Sequence, residues 1–114
     1  MRFLMTYIPK TPEHTPEKSA AIDKLIAENV KAGILLDTGA MLGLSTGGLG
    51  KLEGGAFTLS DGPFPETKEM IVGYAIVQVR DRAEAVEQAR RFMMIAGDGE
   101  CEIRQLTGPS DGIP

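Results

Sequence analysis

The densest chemistry in the chain lies in nine residues, Asp61-Gly62-Pro63-Phe64-Pro65-Glu66-Thr67-Lys68-Glu69. They bring together three carboxylates, an ammonium and a hydroxyl. Held between Pro63 and Pro65, Asp61 suits a proton acceptor or hydrogen-bond acceptor at a pocket mouth, where rigid scaffolds present their binding groups. Plain turn chemistry accounts for the same residues: Asp bonds its own backbone, Gly supplies positive φ, and Phe64 plugs the loop. Residue type alone leaves both readings open. Asp61 is the candidate catalytic acid or base, with Tyr7, His14, Glu66, Lys68 and Tyr74 as candidate ligand contacts. Each phenol serves equally well as an amphipathic cap on a core. His14, the one histidine, has no fixed partner in sequence and reads first as an exposed loop residue beside Thr15.

Other chemistries find little support. Gly48-Leu49-Gly50-Lys51-Leu52 lacks the third glycine of a dinucleotide fingerprint and the Ser or Thr of a phosphate-binding loop. One histidine and one cysteine far apart make no transition-metal site, so neither metal nor cofactor is expected. Cys101 falls in a strand with no basic neighbour on its face, and reads as an inert core thiol.

The elements that must position these groups follow from periodicity. Arg2 to Ile8 alternates as a strand that Pro9 ends. Thr15-Pro16-Glu17 opens a helix whose apolar stripe is Ile22, Leu25, Ile26 and Val30, with Gly33 at its left-handed cap. Ile34 to Asp37 restarts a strand. Lys51 to Glu53 and Ala56 to Leu59, joined by Gly54-Gly55, predict a hairpin, because two-residue turns need positive φ. Met70 to Arg80 is the strongest strand. Asp81 caps a second helix that carries Ala85, Val86, Ala89, Phe92, Met93 and Ala96 inward and stops at Gly97. Glu100 to Leu106 is the final strand, and residues 107–114 form a frayed tail after a single domain of residues 1–106.

This order is α+β: a ferredoxin-like split βαβ with an inserted hairpin. Right-handed crossovers put both helices on one face of the sheet. The strands carry apolar side chains in both rows, and a bare apolar face is rarely left to water. A second copy is the expected cover, giving a homodimer with a barrel-like interior. The 114 residues carry 12 basic and 16 acidic groups, a formal charge of −4, which disfavours direct nucleic-acid binding. No apolar run reaches the length of a membrane span. A single cysteine fits a reducing, cytoplasmic setting.

The run DGPFPETKE resembles the signature of the DGPF group within the YCII-related superfamily, with Pro65 where that group usually has Ala. RFLMTYI, KAGILLDTG, IVGYAIVQV and the closing EIRQL extend the resemblance over nearly the whole chain. It implies a dimeric α+β barrel and, through the gene neighbourhoods of such proteins, a functional link to a sigma factor. In enzyme-like relatives a helix-one histidine and an aspartate are proposed as an acid–base pair, and the histidine's place falls near Ile22 here. Two functions follow as expectations. One is a small-molecule-binding or accessory domain. The other is a lyase- or hydrolase-like enzyme using Asp61 on a small cyclic or aromatic substrate.

Overall fold

Alternation at period two produces strand β1 (Arg2–Pro9), with Phe3, Met5 and Tyr7 buried on one side and Leu4, Thr6 and Ile8 half-buried on the other. A computed structural model describes residues 1–11, 13–60, 62 and 71–108. Helix α1 (Pro16–Lys31) begins where Thr15 accepts a hydrogen bond from the Lys18 amide, and Gly33 follows its cap at φ +74°. Strand β2 (Leu35–Ala40) leads through a 3-10 turn at Leu44–Thr46 into the hairpin β3 (Leu49–Glu53) and β4 (Ala56–Ser60). Both turn glycines, Gly54 and Gly55, have positive φ, as such a tight turn demands. Strand β5 (Gly73–Gln78), helix α2 (Arg82–Ala96) and strand β6 (Gly99–Leu106) complete the fold. Asp81 caps α2 by accepting from the Glu84 amide at 2.9 Å.

The main sheet runs β2-β5-β1-β6, antiparallel throughout, and the hairpin forms a separate two-stranded sheet. That is the strand order of the expected ferredoxin-like unit. Directly paired residues share a face, so Phe3 with Val77 and Met5 with Ala75 and Ile103 define the helix-covered side. Val79, Ala85 and Ala89 join Phe3, Met5 and Val77 in the buried cluster. The other side carries Leu4, Ile8 and Ile76 along its middle. On the β6 edge it turns charged, with Glu100, Glu102 and Arg104 exposed and Arg104 paired to Glu102. The apolar row expected there belongs to the central strands and stops short of the edge.

Two positions depart from the helix patterns. Val30 is 57% exposed, and Asn29 takes the inward place. The inward ray of α1 runs Lys18, Ile22, Leu25, Asn29, a spacing that keeps one line along a helix. Val86 on α2 is likewise exposed, while Ala85 and Ala89 face the sheet.

The hairpin stands away from the body. Its Leu52 and Phe57 are paired, and Leu59 lies opposite Gly50 on the same side. All three large side chains are exposed, at 71%, 68% and 62%. The radius of gyration is 16.3 Å, against about 13 Å for a compact chain of this length.

Gly99 sits opposite Pro9 at the end of the β1–β6 ladder. A Cβ there would collide with the Ile8 carbonyl oxygen and crowd the Pro9 backbone. Gly99→Ala is expected to cost about 1–3 kcal/mol. The check is a lower denaturant midpoint at unchanged slope.

Candidate functional site

Helix α2 seats Ala85 and Ala89 directly against Phe3, Met5 and Val77 of the sheet. Helix α1 presents longer side chains and stands off. The two helices run antiparallel and meet at two places. At one end the Lys18 ammonium reaches Gly97, close enough that a Cβ on Gly97 would lie 3.5 Å from Nζ. At the other, Asn29 Nδ2 donates to Gln88 Oε1 at 3.1 Å, both residues buried. Between these ties a cavity of about 610 Å³ opens between α1 and the sheet. Ile22, Leu25 and Ile26 of α1, Met5 and Val77 of the sheet, and Phe92 of α2 make its apolar wall. Glu13, His14 and Lys18 border it at the start of α1.

Tyr7 borders the cavity with its hydroxyl already committed. It donates to the Gly97 carbonyl at 2.7 Å, with the Asp98 carbonyl at 3.3 Å. Its ring meets Phe92 edge-on, centroids 5.1 Å apart. Burial, then the charges of Asp98 and Cys101, push its phenol pKa up. Tyr74 lies on the neighbouring strand but in the other row, opposite Thr6. Its hydroxyl donates to Asp37 Oδ2 at 3.0 Å, and that hydrogen bond, followed by desolvation and the Asp37 charge, raises its pKa. The ring packs over Gly39, where a Cβ would sit 3.0 Å from Cε1. Tyr74 is, with Tyr7, among the residues that line the cavity, although alternation puts it in the other row of the sheet and Asp37 holds its hydroxyl.

Asp37 is the residue that sequence reasoning passed over. Its Oδ1 accepts from the Thr38 amide at 2.9 Å while Oδ2 holds Tyr74. The signal was a carboxylate one position past Leu35-Leu36, in a strand whose neighbours are apolar. His14 is exposed at the cavity border. Lys18, half-buried there, donates to the Glu13 carbonyl at 3.4 Å. Asp61, Glu66 and Lys68 lie outside the described residues. Cys101 also borders the cavity, and burial pushes its thiol pKa up, which favours the protonated, unreactive form. Among the described residues no group of three His, Cys, Asp or Glu is placed to hold a metal ion. None of the described helices is long and apolar enough to cross a membrane.

A phenol whose pKa is raised on folding stabilises the native state below its unfolded value and loses that contribution as pH climbs through the folded value. The wild type is therefore expected to lose stability as pH rises past about 10. Tyr7→Phe should cost about 1 kcal/mol at neutral pH through the lost hydrogen bond. It should also flatten part of the alkaline decline. Denaturant titrations from pH 7 to pH 11 on both proteins check this.

Among curated proteins none matches this chain. Among solved structures, 5-chloro-2-hydroxyhydroquinone dehydrochlorinase from Burkholderia phenoliruptrix AC1100, in complex with 2,5-dihydroxybenzoquinone, is similar at 18% identity and a TM-score of 0.48. The match covers 98% of this chain and 100% of that one. The family model for the YCII-related domain matches residues 1–107. That span takes in both helices, the whole four-stranded sheet and the hairpin, and the chain belongs to the YCII-related domain family.

Proposed function

We propose that this protein is a small-molecule-binding domain, working as a homodimer, whose ligand is a ring-bearing organic acid held between α1 and the sheet. The cavity carries this reading. It is a space of about 610 Å³, partly open to solvent and lined mostly by apolar side chains. The space must be filled, by water or by a ligand. Water against Ile22, Leu25, Ile26 and Phe92 is poorly hydrogen-bonded, so its displacement by an apolar ring is favourable. The volume falls within the range of small-molecule sites.

The border selects the polar end of that ligand. Lys18 is the half-buried charge there and Glu13 the exposed one. The Lys18 ammonium, within reach of Gly97 at the cavity border, is the cation there that a ligand carboxylate would pair with. Neither phenol is left to act on the ligand, since Tyr7 serves the backbone and Tyr74 the Asp37 carboxylate.

Two uncovered apolar surfaces support the dimer. Leu52, Phe57 and Leu59 add on the order of 400 Å², and a stable interface takes about 800 Å² from each partner. The Leu4, Ile8 and Ile76 strip of the open sheet face adds a smaller apolar area, each residue being half-buried.

Calorimetric titration with 2-naphthoate should give one site per chain, and Lys18→Ala should weaken it about tenfold while leaving 2-naphthamide unaffected. Occupancy should also slow alkylation of Cys101. Failure of every arene acid to bind or to protect that thiol overturns the ligand reading. Sedimentation at micromolar concentration should give the mass of two chains, and Phe57→Ser should shift it toward one; a wild-type mass of one chain sinks the dimer.

A further inference from the structure

The far end of the cavity is closed by something other than hydrocarbon. Asn29 and Gln88, each 9% exposed, line it and hold each other across the helix pair. Gln88 Oε1 is shared with Arg91, whose guanidinium lies 3.5 Å away. These bonds use one donor of Asn29 and the acceptor of Gln88. Among the described residues no buried side-chain nitrogen or oxygen is left without a partner. Asn29 Oδ1 and Gln88 Nε2 are therefore not sealed off, and both residues line the cavity. Exchanging oxygen and nitrogen in both amides leaves the same pair of functions, one acceptor and one donor.

Along α1 the inward ray begins with a cation at Lys18, passes the aliphatic Ile22 and Leu25, and ends at an amide, Asn29. Eleven residues separate the two polar ends, roughly 16 Å of helix at 1.5 Å per residue. Resting on the ligand reading above, we infer that Asn29 and Gln88 are the specificity-determining pair of this cavity. They select an elongated ring acid that carries a hydroxyl at the end away from its carboxylate. The hydroxyl donates to Asn29 Oδ1 and accepts from Gln88 Nε2, while the carboxylate pairs with Lys18. A ligand lacking the hydroxyl strips water from both amide atoms and returns nothing, which is how a polar site rejects an analogue.

The test uses the intact chain and two probes that differ only at that end, 6-hydroxy-2-naphthoate and 2-naphthoate. The hydroxylated probe is expected to bind at least about tenfold more tightly. Asn29→Leu/Gln88→Leu replaces both amides with apolar side chains of similar size. It should abolish that preference while keeping affinity for 2-naphthoate. Equal binding of the two probes to the wild type overturns the inference and leaves the parent reading intact. Binding of neither overturns both. Should the double variant fail to fold, the ratio of the two affinities on the wild type decides alone.

Discussion

One hydrogen bond, from Asn29 to Gln88, holds the two helices together over a gap that side-chain packing leaves open. Its position matters more than its strength. A neutral side-chain hydrogen bond is worth only about 1 kcal/mol net. Between two buried amides, however, the alternative is a pair of orphaned polar groups, and that costs considerably more. The bond therefore fixes where α1 lies relative to α2, and hence how far α1 stands from the sheet. Glu28 and Arg91, 3.7 Å apart beside it, add a weaker ionic tie of the same sense. Ala85 and Ala89 bring α2 down onto Phe3, Met5 and Val77. With one helix seated and the other tethered at a distance, the cavity follows from side-chain size.

Much of this architecture was legible in the residues. Thr15 and Asp81 announced the helix starts, Gly33 the end of the first helix, and Gly54-Gly55 the hairpin turn, because each is a local requirement with few chemical solutions. The strand order followed from the succession of elements and the handedness of crossovers. What escaped was non-local. A hydrophobic stripe through Ile22, Leu25, Ile26 and Val30 put Val30 inside, because apolar residues are what a stripe counts. The structure turns the helix by a fraction of a turn and buries Asn29 instead. Only Gln88, 59 positions away, makes that burial tolerable, and nothing near Asn29 in the chain reports it.

The tyrosines teach the complementary lesson. Tyr7 and Tyr74 lie on neighbouring strands, yet neighbourhood says nothing of face. The pairing of Tyr7 with Gly73 and of Thr6 with Tyr74 sets one phenol among the core aromatics and the other beside Asp37. A one-residue change in register would have reversed both. Gly39 is the local trace of this arrangement, since the ring of Tyr74 occupies the space a side chain there would need.

Membership of the YCII-related family settles less about activity than about scaffold, because sites, and not folds, carry chemistry. The resemblance places the helix-one histidine of enzyme-like relatives near Ile22, and Ile22 here belongs to the apolar wall of the cavity. An aliphatic side chain cannot move a proton, but it can press against a ring. His14 stands before the helix and is exposed, so its imidazole is no substitute for a base fixed on the helix. Asp37, the carboxylate of the second strand, is spent on Tyr74 and the Thr38 amide. The polar side chains of α1 that line the space, Lys18 and Asn29, stand at its two ends.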